Sequence, residues 1–129
     1  IDFGQGVEPI LLVEDDDMVR MGTHQILLSR GYTVLEASNG EQARQIFTEY
    51  KEPIHLLLTD VVMRGGLSGP KLAAELVSLR PEMKVLYMSG YTDNAIVHHG
   101  VLDPGIGFLP KPFAPDDLLR RVRQVLDEE

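Results

Sequence analysis

Residues 56–66 read LLLTDVVMRGG, a short apolar run that ends at Asp60 and is followed by a glycine-rich loop. Apolar residues without an apolar–polar alternation are typical of a strand that is buried on both faces of a parallel sheet. Apolar residues resume directly after Asp60, so we expect its carboxylate at the rim of the core. A carboxylate there is costly unless it is paired or bound to a metal. The stretch therefore predicts a buried strand with one carboxylate at its end.

Four further apolar runs resemble this one and divide the chain into short segments. Together they predict five strands, at residues 9–13, 32–37, 54–59, 84–88 and 106–110. Most of the runs lack strict alternation, as expected for a sheet that is covered on both faces.

Amphipathic segments between these runs predict helices, because each has a capping residue or an N-terminal proline and an apolar stripe. Four helices are clear, and they begin after Asp16 or Asp17, after Asn39, at Gly69-Pro70 and after Pro115. Residues 91–107 hold three glycines and a proline, so we expect at most a short helix near 93–99 there. This alternation predicts a doubly wound α/β sheet, with functional groups at the carboxyl ends of its strands.

The composition is that of one domain without special covalent chemistry. The 129 residues suffice for a sizeable core, and no apolar run approaches the ~20 residues that span a bilayer. The absence of cysteine excludes disulfides and thiolate metal sites. A net charge of −8 disfavours direct nucleic-acid binding and favours a basic partner or a metal cation. Residues 1–8 contain two glycines and no periodicity, which predicts a linker or tail before a domain at 9–128.

Polar side chains stand at the ends of four predicted strands, namely Glu14 to Asp17, Asp60, Ser89 and Lys111. Each has an ordinary interpretation by itself, since acids cap helices, Ser-Gly forms turns and a lysine between prolines can be solvated. Together they form a rarer set. Four consecutive acids with no Lys or Arg beside them favour a hard divalent cation, and a carboxylate can attack phosphorus. A hydroxyl and an ammonium would stabilise the transferred group, so the set predicts phosphoryl transfer.

In this combination the chain resembles the receiver domain of two-component response regulators, over about residues 8–128. The resemblance lies in the motifs ILLVEDD, LLLTDVVM, YMSGY and FLPKPF, in the family's order and spacing. It implies a flavodoxin-like fold, with a five-stranded parallel sheet in the order 2-1-3-4-5 and five helices, the fourth short or irregular. GGLSGPKLA and GFLPKPF are similar to receivers fused to hybrid sensor histidine kinases, although Arg64 stands where this type often has proline.

The resemblance implies a metal and a phosphoryl acceptor. Glu14 and Asp15 match the acidic pair that helps to hold Mg²⁺, and Asp60 matches the aspartate that accepts the phosphoryl group. Val62 matches the residue whose backbone carbonyl is a further metal ligand.

A switch and a signalling partner are also implied by the resemblance. Ser89 matches the hydroxyl that senses the phosphoryl group, and Lys111, with a cis bond to Pro112, matches the family's lysine. Phe108 matches the aromatic residue that changes rotamer on activation, which alters the face around strands 4 and 5. The implied donor is a histidine kinase or its histidine phosphotransfer domain, in the cytoplasm of a bacterium. No direct contact with nucleic acid or membrane by this domain is implied, and a weak homodimer stays open.

Three alternatives remain at this point. An aspartate-nucleophile phosphatase would usually have a second aspartate two residues after the nucleophile, where this chain has Val62. A flavodoxin-like cofactor binder would need a Ser/Thr/Gly-rich phosphate loop after strand 1, where this chain has EDDDM. A receiver that binds partners without being phosphorylated is the third. Whether the chain turns over a substrate as an enzyme stays undecided.

Overall fold

The computed structural model describes residues 7–63, 67–89 and 107–128 of the chain. The predicted short helix near 93–99, the loop residue Arg64 and most of the predicted linker at 1–8 lie outside the described residues.

Five parallel strands form a single sheet in the order β2-β1-β3-β4-β5. The strands are β1 Pro9–Val13, β2 Thr33–Ala37, β3 Leu56–Asp60, β4 Lys84–Ser89 and β5 Gly107–Pro110. All five residues of the central β3 are buried, in agreement with its unbroken apolar sequence. The predicted doubly wound, flavodoxin-like sheet is confirmed.

Four helices lie on the sheet within the part of the chain that the structure describes. They are α1 Asp17–Leu28, α2 Gly40–Glu49, α3 Gly69–Leu79 and α4 Pro115–Leu126. The Asp16 side chain accepts hydrogen bonds from the amides of Met18 and Val19, which decides between the two predicted caps of α1. Asn39 caps α2 as predicted, whereas the cap of α3 is Ser68, which the sequence did not single out.

The helices cover both faces of the sheet and enclose two separate cores. On one face α2 and α3 bury Phe47, Leu72 and Leu76 against the strands. On the other face α1 and α4 bury Leu27 and Leu118. Each fully buried side chain of this size stabilises the fold by about 1.5–3 kcal/mol, so the strands are held firmly from both sides.

The register brings the carboxyl ends of the strands to one edge of the sheet. Val13 pairs with Thr59, Asp60 with Met88, and Met88 with Leu109. Residues that directly follow β1, β3 and β5 therefore meet at this edge. In the described ranges no helix is long and apolar enough to cross a membrane.

Candidate functional site

Three carboxylates converge where β1 and β3 end. Glu14 and Asp15 follow β1, and Asp60 is the last residue of β3, so the pairing of these neighbouring strands brings them to the same level. One carboxylate oxygen of each residue lies within 4.8 Å of the other two. Glu14 is fully buried and Asp60 is 2% exposed. The site is thus an acidic cluster that is largely shielded from water.

Lys111 is the cation that faces this cluster. Its amide donates a hydrogen bond of 2.7 Å to the Ser89 carbonyl, and its bond to Pro112 is cis, as predicted. Its ammonium lies 2.5 Å from Glu14 Oε1 and 2.5 Å from Asp60 Oδ1. Burial by itself lowers the pKa of Lys111, but the two carboxylates outweigh burial and the pKa is raised. One ammonium is therefore shared between two buried carboxylates.

Glu14 is held through each of its polar groups. Its Oε1 accepts from Lys111, and its Oε2 accepts from the Asp16 amide at 3.1 Å. Its own amide donates to the Ala37 carbonyl at 3.1 Å, and its carbonyl accepts from Arg20 Nη1 at 2.8 Å. Such complete satisfaction is what a buried charged residue requires, and it fixes the position of Glu14.

Asp60 differs from Glu14 in the groups that reach its carboxylate. Both carboxylate oxygens are buried, and among the described residues the only cation that reaches them is the Lys111 ammonium, 2.5 Å from Oδ1. Burial first, and the nearby Glu14 carboxyl second, raise the pKa of Asp60 to about 8, although Lys111 opposes them. A buried carboxylate in this state is costly unless a further cation or donor reaches it.

The donor set of the cluster fits Mg²⁺. This ion prefers oxygen ligands and typically uses one or two protein carboxylates together with waters and phosphoryl oxygens. Asp60 provides buried carboxylate oxygens, and Asp15 provides a partly buried carboxylate beside them. The acidic cluster is therefore suited to Mg²⁺.

The remaining predicted site residues lie around this cluster. Ser89 is the last residue of β4 and is fully buried beside the end of β3. Val62 follows Asp60 by two positions and is about half exposed. Phe108 pairs with Tyr87 and packs, partly buried, against the core under α2 and α3. The structure thus joins Glu14 and Asp60 through Lys111 directly, with the other residues on the adjoining strands and loop.

Arg20 is a site residue that the sequence did not single out. The sequence indicates no Lys or Arg beside the acidic run after β1, and this expectation is wrong, because Arg20 Nη2 lies 2.6 Å from Asp17 Oδ1. The same guanidinium binds the Glu14 carbonyl, and only 17% of the side chain is exposed. The signal was present, because residues three apart on a helix are neighbours.

Comparison with known proteins identifies the family. The receiver domain of response regulators matches residues 10–123, so the chain belongs to the response regulator receiver domain family. Receiver domains act in two-component signalling and interact with histidine kinases.

Two curated relatives from Brucella abortus (strain 2308) resemble the chain along most of its length. It is 40% identical over 124 residues to the sensor kinase CckA, which covers 96% of this chain but only 13% of CckA. It is 32% identical over 117 residues to the response regulator receiver protein CpdR, which covers 91% of this chain and 95% of CpdR. The similarity therefore extends to part of a large kinase and to nearly all of a small regulator.

Solved receiver domains share the fold. The receiver domain from the hybrid histidine kinase CckA has a TM-score of 0.76 at 36% identity, over 92% of this chain and 99% of that one. A response regulator receiver domain protein from Clostridium thermocellum has a TM-score of 0.79 at 28% identity, over 94% and 95% of the two chains.

Proposed function

We propose that the chain is a phospho-accepting receiver in which Asp60 takes a phosphoryl group from a phosphohistidine. The main support is the position of the Asp60 carboxylate, which is buried at the end of the central strand with the Lys111 ammonium 2.5 Å from its Oδ1. A buried carboxylate beside a lysine and two further acids has the groups that phosphoryl transfer requires.

In the proposed reaction an Asp60 carboxylate oxygen attacks phosphorus while the phosphorus–nitrogen bond to the histidine breaks. The phosphohistidine ring carries a proton on its other nitrogen, so the products are an acyl phosphate and a neutral imidazole. The Lys111 ammonium, 2.5 Å from Asp60, supplies positive charge next to the transferred phosphoryl oxygens. Glu14 keeps that ammonium in place, because it holds the other side of the same cation.

Glu14, Asp15, Asp60 and the Val62 carbonyl are the proposed Mg²⁺ ligands. The bound ion would favour the ionised form of Asp60 and neutralise charge on the phosphoryl oxygens. The raised pKa of Asp60 supports this assignment, since without additional positive charge the nucleophile holds its proton near neutral pH.

Ser89 and Phe108 are the proposed switch. Ser89 lies at the end of the strand next to Asp60, where a new phosphoryl charge would attract its hydroxyl. Phe108 lies on β5, which pairs with β4, so a shift of Ser89 would be passed to the face formed by these strands.

The proposed setting is the cytoplasmic receiver of a hybrid histidine kinase, with a domain at 9–128 that follows a linker. The 40% identity to part of the sensor kinase CckA supports this setting. A free-standing regulator is the alternative, and the match to almost all of CpdR supports it. The proposed donor is a histidine kinase or its histidine phosphotransfer domain in either case.

Mass spectrometry of the intact chain tests the function. With acetyl phosphate and Mg²⁺, the wild type is expected to gain the mass of one phosphoryl group, and Asp60→Asn is expected to gain none. Asp17→Asn is the matched control, because Asp17 is an exposed acid of the same cluster region whose ion pair is with Arg20. A phosphoryl gain that persists in Asp60→Asn would refute the assignment. Continued turnover of a phosphomonoester would favour the phosphatase, and no gain in the wild type would favour a receiver that is not phosphorylated.

A further inference from the structure

The first residue of α3 touches the backbone of the proposed nucleophile. The Gly69 amide donates a hydrogen bond of 2.9 Å to the Val61 carbonyl. A Cβ atom added to Gly69 would lie 1.8 Å from the Asp60 carbonyl oxygen, 2.9 Å from its carbonyl carbon and 3.3 Å from Val61 Cα. The start of the helix therefore lies against the end of β3 at a distance that excludes any side chain.

Two other glycines of the described residues, Gly22 and Gly40, do not make such a contact. Gly40 is also the first residue of its helix, but the three atoms nearest to a Cβ there all belong to the side chain of Leu67 and none to backbone. A Cβ at Gly22, in the middle of α1, would have no heavy atom within 4 Å. The contact at Gly69 is different because both partners are backbone, which cannot rotate aside.

At Asp60 the strand β3 is paired on one side only, so the contact with the start of α3 adds a second constraint on its backbone. The pairing of β3 with β1 ends at Thr59, whereas Asp60 pairs with Met88 of β4. The amide of Val61 donates to the Met88 carbonyl at 3.1 Å, so β4 fixes one side of this turn. The start of α3 supplies the contact on the face of the sheet, and α3 itself is seated by the fully buried Leu72.

We propose that Gly69 is a positioning residue for the nucleophile, acting through the backbone of Asp60 and Val61. The inference rests on the proposed phosphoryl transfer to Asp60. An alanine at Gly69 would force the two backbones apart by about 1.6 Å, from 1.8 Å to an ordinary contact of 3.4 Å. Since a misplacement of about 1 Å at a reacting group can cost ~10²-fold in rate, Gly69→Ala is expected to slow phosphorylation by about that factor.

The experiment measures the rate of phosphorylation by acetyl phosphate at saturating Mg²⁺, together with urea unfolding of the same samples. Gly22→Ala is expected to keep the wild-type rate. Ser68→Ala removes the cap of α3, whose hydroxyl accepts from the Lys71 amide at 3.3 Å, and adds no atom near Asp60. It is expected to lower stability while leaving the rate within a few-fold of the wild type.

Rate and stability together decide between positioning and a merely structural role. If Gly69→Ala is less stable but is phosphorylated at the wild-type rate, the substitution displaces the helix and not the nucleophile. That result overturns the inference. If the wild type itself takes no phosphoryl group, the proposed function fails first.

A milder pair of variants applies if Gly69→Ala does not fold. Leu72→Val weakens the packing of α3 on the sheet by removing one methylene group. Leu118→Val removes one methylene group from an equally buried leucine on the opposite face of the sheet. A several-fold slower rate in Leu72→Val alone supports positioning through α3, and equal rates in the two variants contradict it.

Discussion

Asp60→Asn is expected to stabilise the metal-free protein, and the gain is expected to grow with pH. The pKa of the folded carboxyl is about 8, against 3.8 for the unperturbed group, because burial and Glu14 favour the neutral form. Below pH 4 the carboxyl is protonated in the folded and unfolded chains alike. As the pH rises from about 4 to about 8 the unfolded chain loses this proton and the folded chain keeps it, so the free energy of unfolding falls through this window.

The size of the effect follows from the same two values. One pH unit inside the window corresponds to about 1.4 kcal/mol, so between pH 5 and pH 8 the wild type loses roughly 3–4 kcal/mol through this group. Asparagine has nearly the same shape and does not titrate. The difference in unfolding free energy between Asp60→Asn and the wild type is therefore expected to widen by that amount.

Urea unfolding followed by circular dichroism measures this difference at pH 5, 6.5 and 8 in the presence of a chelator. Comparison with the variant cancels the titrating groups that lie away from Asp60. Glu14 and Lys111 contact Asp60, so the difference reports the titration of this cluster as a whole. Parallel pH curves for Asp60→Asn and the wild type would refute the raised pKa. Addition of Mg²⁺ is expected to stabilise the wild type far more than the variant, since a ligand that binds only the folded state stabilises it by mass action.

Three other substitutions separate the roles of the charged residues. Lys111→Met leaves the buried Glu14 carboxylate without its cation, so a loss of about 3 kcal/mol in unfolding free energy is expected at pH 8. Mg²⁺ is expected to restore part of this loss, and an unchanged urea midpoint would contradict the shared ion pair. Arg20→Ala removes a charged hydrogen bond to the buried Glu14 carbonyl, so urea unfolding is expected to show a loss of about 1.5–3 kcal/mol in unfolding free energy. Asp17→Asn removes only the exposed ion pair with Arg20 and is expected to cost under about 1 kcal/mol, and equal losses in the two variants would argue against the bond to Glu14. Arg123→Ala removes the ion pairs of Arg123 with Glu8 at 2.6 Å and with Asp127 at 2.8 Å. The unfolding free energy is expected to fall by about 1 kcal/mol with no change in the phosphorylation rate, and a slower rate would contradict this separation of stability from function.

Much of the fold was predictable because its signals are local. The apolar run before Asp60 predicts a strand buried on both faces, and all of β3 is buried. Gly31, two residues after the Ser29 cap at the end of α1, has a φ of 92°, which glycine adopts without strain. Asn39 caps α2 through the Gln42 amide for an equally local reason.

The candidate site was predictable in its members but not in its electrostatics. Strand order explains why Glu14, Asp60 and Lys111 meet, since parallel strands bring their carboxyl ends to one edge. The raised pKa of Asp60 depends on how deeply the end of β3 is buried and on how near Glu14 lies to Asp60. Both quantities depend on the folded structure and have no local sequence pattern.

The close approach of α3 to β3 is a further feature that sequence reasoning could not reach. The sequence around Gly69 indicates only the start of a helix, whereas the contact of Gly69 with the Asp60 carbonyl arises from the packing of two elements nine residues apart. Packing of this kind depends on the whole core under α2 and α3 and has no local pattern.

Direct identification of the phosphorylated residue tests the central claim. The chain is treated with acetyl phosphate and Mg²⁺, and the acyl phosphate is then reduced with borohydride, which converts a phosphorylated aspartate into homoserine. Peptide mass spectrometry is expected to find homoserine at position 60 and aspartate unchanged at positions 15, 16 and 17. Homoserine at any of those three positions, or the absence of homoserine from position 60, would contradict the account.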